Sequence, residues 1–194
     1  MRIIAGKKRG MKLLSPKALV SRPITDRVKE SLFSVIYKYD LPEGKVVADV
    51  FSGVGSLGLE ALSRGAKFVT FVEKDPKIIA TLRKNIERGD FKDISRVVRG
   101  DAFKLGAAVD FEMGPYDLVT IDPPFPLTRS VDAASPFGKL MEIIPAQVVV
   151  GGIVVVRTHK AIELEGPYDK LEIIDRRQWG INAVTILQRK TDDQ

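Results

Sequence analysis

In this chain of 194 residues, Asp122-Pro123-Pro124-Phe125 sets an acid, a proline carbonyl and an aromatic ring side by side. Consecutive prolines cannot continue a hydrogen-bonded strand. They hold the Asp122 carboxylate and the Pro123 carbonyl in a rigid, extended presentation. Two acceptors beside an aromatic face match a planar ring that carries an NH2. The lone pair of such an exocyclic amine is delocalised into its ring, so the nitrogen is a poor nucleophile. Hydrogen bonds from its two N–H groups to Asp122 and Pro123 pull it toward tetrahedral geometry. They also favour the positive charge that develops as nitrogen attacks a methyl carbon. This is alignment plus preorganised electrostatics, with no covalent intermediate. Phe125 is suited to stack on a base extruded from its neighbours. Asp122, Pro123, Pro124 and Phe125 are therefore the candidate catalytic residues; a rigid turn without a chemical role is the bland alternative.

A donor site is suggested upstream. Gly53-Val54-Gly55-Ser56-Leu57-Gly58 is a G-x-G-x-x-G, and Glu73 follows Gly53 by 20 residues. Alone this is a nicotinamide-dinucleotide fingerprint, with the acid on ribose hydroxyls. S-adenosylmethionine enzymes use a related turn, and two residues favour them. Asp49 would repel a pyrophosphate laid against the turn, whereas it would attract an ammonium and a sulfonium. Asp101 can accept the exocyclic amine of adenine, with Phe103 as an apolar neighbour, or it can simply cap a helix. The candidate donor set is Asp49, Gly53 and Gly55 for the methionine end, Glu73 for the ribose and Asp101 for the adenine. Phe51, Ser52, Lys74, Ala102 and Phe103 accompany them. Phe51 and Phe103 line either the adenine pocket or the core.

The elements that must position these residues alternate. Residues 1–14 are expected to form a hairpin about a lysine-rich turn, and 15–22 a loop. Pro23 opens an amphipathic helix over 24–38, with capping oxygens from Thr25 and Asp26. Apolar runs predict strands at 46–51, 68–72, 96–98, 116–121 and 153–156, and a closing antiparallel pair at 171–175 and 183–188. Helices are expected at 57–64, 76–88 and 137–148. Apolar strands alternating with amphipathic helices give an α/β, Rossmann-like fold, a mostly parallel sheet with helices on both faces. Ligands of such sheets bind beyond the carboxyl ends of the strands, where Asp49 to Gly55, Glu73, Asp101 and Asp122 to Phe125 all fall.

Charge is unevenly spread. Residues 1–30 hold nine basic and two acidic side chains, while the other 164 residues hold 22 and 23. A basic head on a near-neutral body points to an anionic partner, nucleic acid first, although a solvated face would look the same. Arg2, Lys7, Lys8, Arg9, Lys12, Arg22, Thr25 and Arg27 are the candidate contacts to that partner, and Lys29 is expected near them at the mouth of the site. The absence of cysteine excludes disulfides and a thiolate nucleophile, and the single histidine, His159, excludes His-rich metal sites. No metal is expected, and His159 receives no role. Trp179 is assigned to packing. With no secretory signal and no bilayer-length apolar run, the expectation is a cytoplasmic, non-membrane protein, and nothing demands more than a monomer.

The stretch from Asp49 through Gly53-Val54-Gly55-Ser56-Leu57-Gly58 to Gly65-Ala66 resembles motif I of class I methyltransferases. More narrowly, the head Arg2-Ile3-Ile4-Ala5-Gly6 through Arg9-Gly10-Met11-Lys12-Leu13 is similar to that of the RsmD-type 16S rRNA (guanine-N2) methyltransferases. So is the segment from Arg22-Pro23-Ile24-Thr25 to Leu32-Phe33. The resemblance runs from residue 2 to about residue 125 and returns near Trp179-Gly180. It implies S-adenosyl-L-methionine as donor and a seven-stranded sheet. It also implies methylation of one guanine of 16S rRNA, free or within the small subunit or an assembly intermediate. Residues 1–40 would then be an RNA-gripping extension and 41–194 the donor domain. Two features depart from the family: the stretch 126–136 is longer, and Arg157 closes the fifth strand where many relatives carry an acid. Three alternatives stay open: an adenine-N6 methyltransferase of DNA or RNA, which the same tetrapeptide would serve; a nicotinamide oxidoreductase; and a non-catalytic RNA-binding module.

Overall fold

A computed structural model describes residues 1–16, 24–109, 113–164, 166, 168 and 170–191. Seven strands form one sheet: β1 Val46–Val50, β2 Phe68–Glu73, β3 Ser95–Arg99, β4 Tyr116–Ile121, β5 Val148–His159, β6 Leu171–Trp179 and β7 Asn182–Arg189. Their order is β3-β2-β1-β4-β5-β7-β6. β1 to β5 run parallel, and β7 lies antiparallel between β5 and β6. The expected mostly parallel α/β sheet is what the chain forms.

β1 and β4 are almost wholly buried, which is why their sequences read as apolar runs with little alternation. Alternation survives in which side each residue serves. Val47 and Leu118 enter one hydrophobic cluster, together with α1 Asp26–Ile36, α2 Ser56–Ser63 and α3 Pro76–Gly89. Ala48 and Val119 enter the other, together with α4 Ala102–Leu105 and α5 Pro136–Ile143.

Boundaries differ from expectation where a backbone rule outweighs the hydrophobic pattern. The first strand stops at Val50 because Phe51 takes a left-handed φ of 63°. The helix expected over 24–38 begins at Asp26, with Thr25 Oγ1 accepting from Val28 N as its cap, and tightens into a 3-10 turn after Ile36. Pro23, expected to open it, lies outside the described residues. The helix expected over 137–148 gives way after Ile143 to a 3-10 turn, Ile144–Gln147; Pro145 has no N–H to continue the ladder. The residues that follow are the start of a β5 much longer than expected. The short α4 has no counterpart in the sequence pattern, because four residues are too few to show a period.

The basic head forms the expected hairpin. Arg2 bridges Lys12, Ile3 N donates to Met11 O, and Gly10 N donates to Ile3 O. It lies down on α2. Ile4 N and Ala5 N donate to the two oxygens of Glu60, Lys7 N donates to Ser63 O, and Lys8 N donates to Ser63 Oγ. At Gly6 (φ +79°) a Cβ would stand 1.8 Å from Ser63 O, so no side chain fits. Ile3, Leu13, Val28, Phe33, Val47 and Leu59 share one hydrophobic cluster, which is thus continuous across residue 40.

Candidate active site

The parallel register lines up four strand ends. Val50 pairs with Val72 and with Ile121, and Glu73 pairs with Arg99. The segments beginning at Phe51, Glu73, Gly100 and Asp122 therefore emerge along one edge of the sheet.

At the first of these the chain turns sharply. Ser52 N donates to Val72 O, Gly55 N to Ser52 O, and Gly53 N to Glu73 Oε2 at 3.0 Å. The other Glu73 oxygen accepts from Lys74 N and Asp75 N, so this carboxylate shapes the turn as well as facing it. The glycines do different jobs. A Cβ on Gly58 would meet the Phe71 ring at 2.3 Å, and one on Gly55 would meet Leu82 at 2.6 Å. At Gly53 (φ +54°) nothing lies within 4 Å of a Cβ. Gly55 and Gly58 would crowd a side chain against their neighbours; Gly53 leaves its backbone open to approach. The buried hydroxyl of Ser52 has no hydrogen-bond partner among the described residues.

Asp49 lies beneath the turn rather than in it. It is 1% exposed, and its Oδ2 accepts from Gly58 N at 2.8 Å while Oδ1 accepts from Thr120 Oγ1 at 3.0 Å. Burial pushes its carboxyl up to about 7, and the charges of Asp122 and Glu73 act in the same direction. Any influence on a ligand is therefore exerted through the field and through the turn it braces.

Asp101 caps α4 by accepting from Phe103 N through Oδ1. Ala102 is buried behind it, and the Phe103 ring meets the Phe51 ring edge-on, with centroids 5.0 Å apart. Phe51, Phe103 and Asp101 so stand together, with Lys74 exposed at the end of β2.

Asp122 N donates to Val50 O, which joins the second chemical segment to the first. Pro124 is extended (φ −53°, ψ 132°), and Phe125 opens a 3-10 turn, Phe125–Thr128, locked by Leu127 N on Pro124 O. Arg157 Nε donates to Asp122 Oδ1 at 2.6 Å. Burial pushes the Asp122 carboxyl up, and Arg157 pulls it back by charge and by that hydrogen bond. The Arg157 guanidinium also lies 5.1 Å from the Phe125 ring centroid, and the His159 ring meets Phe125 edge-on at 5.7 Å. Sequence reasoning assigns neither residue to the site. The signal available for Arg157 is its place directly after an apolar run, since a buried charge must have a partner.

Arg2, Lys7, Arg9, Lys12, Thr25 and Arg27 are exposed and Lys8 is half-buried, on the hairpin and at the start of α1. Arg22 lies outside the described residues. Lys29 is the correction: it is fully buried, 3.2 Å from Glu60, and is not a surface charge at all. The helical spacing that puts Val28, Leu32 and Phe33 on the inner face of α1 puts Lys29 there too.

The sheet order, the reversed β7 and the ligand-facing edge define a class I methyltransferase. A family model described as conserved hypothetical protein 95 matches residues 1–188. The chain is 31% identical over 193 residues to a Bacillus subtilis protein provisionally named rRNA methyltransferase YlbH, covering 98% of this chain and 100% of that one. It is 38% identical over 140 residues to the ribosomal RNA small subunit methyltransferase D of Haemophilus influenzae, covering 70% and 69%. The solved structure of an Escherichia coli protein provisionally named methyltransferase yhhF superposes with a TM-score of 0.79 at 31% identity, covering 98% of each chain. The chain belongs to this family, the RsmD-type methyltransferases, and is an enzyme.

Proposed function

We propose that this enzyme methylates the exocyclic N2 amine of one guanine in 16S ribosomal RNA. The donor is S-adenosylmethionine, which supplies, when bound, a methyl group on a positively charged sulfur. The residues present fit such a group. The backbone at Gly53 is open, the acids Glu73 and Asp122 lie close enough for their charges to act on Asp49 beneath the turn, and the buried Ser52 hydroxyl is unpartnered among the described residues. Gly53, Gly55 and Ser52 would hold the methionine end, with Asp49 acting from below. Glu73 would take the ribose hydroxyls and Asp101 the adenine amine, with Phe51 and Phe103 as apolar walls and Lys74 and Ala102 lining the pocket.

One observation carries the reading. Asp122 N is tied to Val50 O immediately before the glycine turn, so the amine acceptors and the donor turn belong to adjoining strand ends. Asp122 Oδ2 and the Pro123 carbonyl accept the two N–H groups of the target amine and align its nitrogen, Pro124 keeps both rigid, and Phe125 supports the base. The carboxylate stabilises the positive charge that grows on nitrogen. The hairpin, through Arg2, Lys7, Lys8, Arg9 and Lys12, with Arg22, Thr25 and Arg27, grips the RNA backbone. The small-subunit RNA target is that in the name of the Haemophilus relative. We take residues 1–40 as this RNA-gripping part, 41–194 as the donor part, and the enzyme as a cytoplasmic monomer.

The test is mass spectrometry of 16S rRNA nucleosides from a strain lacking the protein, with and without the gene restored. Loss and return of one N2-methylguanosine is expected. Loss of an N6-methyladenosine would overturn the guanine assignment in favour of the adenine reading, and an unchanged 16S RNA would remove it as the substrate.

A further inference from the structure

Arg157 is the charged residue that ends the apolar run from Ile153 to Val156, and it is fixed at three points. Nε donates to Asp122 Oδ1 at 2.6 Å, Nη1 donates to Asn182 Oδ1 on β7 at 2.8 Å, and the guanidinium lies against the Phe125 ring at 5.1 Å. Its side chain is 8% exposed and that of Asp122 is 16%.

So enclosed a carboxylate is poorly solvated, and water loss favours its neutral form. A neutral Asp122 carries a proton where the proposed reaction needs an acceptor. Among the described residues, the charged and titratable groups packed around it come from two strands. Asp49 on β1 is a second acid, and the charge of Asp122 acts on it. On β5, Arg157 touches Asp122 directly, and His159 reaches it only through the Phe125 ring. β7 contributes the neutral Asn182. Arg157 is thus the group that opposes burial. Because it engages Oδ1 through Nε, it anchors that oxygen and leaves Oδ2 for the substrate.

We propose that Arg157 is a positioning residue for methyl transfer: it keeps Asp122 ionised, aims its second oxygen, and holds the Phe125 ring beside it. This rests on Asp122 being the acceptor of the target amine. Arginine suits the task because its charge is permanent and its fork is planar. It acts through Asp122 and Phe125, which it touches.

The test follows methyl transfer from tritiated S-adenosylmethionine into small subunits, and into their naked RNA, from a strain lacking the protein, between pH 5.5 and 9. D122N should lose turnover across the range; if it does not, the acceptor reading itself fails. Given that loss, R157M should lower kcat at pH 7 by about tenfold to a hundredfold. Its acid limb should move up by about one pH unit or more, so that the deficit shrinks as pH rises. Donor affinity should stay near wild type, and R157K should restore the midpoint. The shift should persist in an H159Q background, which separates it from histidine titration. An R157M profile of lower amplitude with an unmoved midpoint would overturn the proposal and leave Arg157 a structural residue. Should R157M fail to fold, N182A decides: it keeps the charge but removes one of the guanidinium's three anchors, so kcat should fall, and an unchanged kcat would be fatal to the aiming role.

Discussion

The ammonium of Lys29 lies 3.2 Å from the carboxylate of Glu60, with both side chains withdrawn from water. Lys29 Nζ also donates to Arg2 O at 2.6 Å and to Ser56 O at 3.4 Å. Glu60 accepts in addition from Arg64 Nε and from Ile4 N and Ala5 N. One buried cluster therefore joins the hairpin, α1 and the first residue of α2, directly after the glycine turn. Burial pushes the Lys29 ammonium below its usual range, and Glu60 opposes this.

Removing the two partners should not be equivalent. E60Q leaves two enclosed cations without their anion and should cost about 3–5 kcal/mol. K29M removes a charge while Glu60 keeps Arg64 and the hairpin amides, so it should cost less. Urea denaturation measures both. Equal midpoints for E60Q and K29M would refute the view that Glu60 is the hub.

The glycines make a second contrast. At Gly58 an added methyl meets the Phe71 ring, so G58A should lose about 1–3 kcal/mol of stability through overpacking. At Gly53 a methyl meets no protein atom and carries only the strain of a positive φ, about 1–2 kcal/mol. G53A should instead weaken S-adenosylmethionine binding by about tenfold or more, equivalent to about 1.4 kcal/mol. Calorimetry without RNA should show donor binding by the wild type and no binding of NADH. A G53A affinity within about twofold of wild type would remove the open turn from the donor site.

The parallel sheet is legible in the sequence because its strands are apolar runs with acids or glycines at their ends, and a buried parallel strand has few other ways to look. The head is legible because paired glycines punctuate it. Three things are hidden. Lys29 is a lysine within a basic segment, and composition cannot distinguish it from the exposed lysines around it; only its place on the apolar face of α1 does. Asp49 reads as an acid that meets a ligand's ammonium, but whether an acid at a strand end points outward or under the turn depends on a partner 71 residues away, Thr120. Arg157 looks like a mere departure from relatives, because its partner Asp122 lies 35 residues earlier and joins it only through the β4–β5 register.

The Asp49 carboxyl, pushed up to about 7, gives donor binding a pH dependence whose sign is fixed. A cationic donor favours the ionised form, so binding below the free-enzyme value must release a proton. The dissociation constant should therefore fall as pH rises toward about 7, by up to about tenfold per unit, and level off above it. D49N should bind more weakly and show a flatter profile over the same interval. Calorimetry at several pH values, in buffers of different ionisation enthalpy, reports both affinity and proton release. A wild-type affinity constant from pH 5.5 to 8.5 would remove Asp49 from the donor's electrostatic environment.

The head sets up the last contrast, between charges on the surface and a charge within. Lys7 and Arg9 are exposed, Lys8 is partly so, and all three lie on the hairpin held down over α2. Neutralising them together should weaken RNA binding and flatten its dependence on salt, by about 0.7 to 0.9 slope units for each phosphate that is no longer neutralised. K29M should leave that slope where it is, provided circular dichroism shows the hairpin and α1 intact, since a cation already neutralised by Glu60 displaces no counterion from the RNA. The measurement is the affinity for small-subunit RNA between 50 and 200 mM salt, an interval over which neutralising about six to ten phosphates changes affinity by about 10³ to 10⁵. A slope unmoved by the triple change would mean that the hairpin does not touch the RNA backbone. A slope lowered equally by K29M would mean that the effect comes from disturbing the fold.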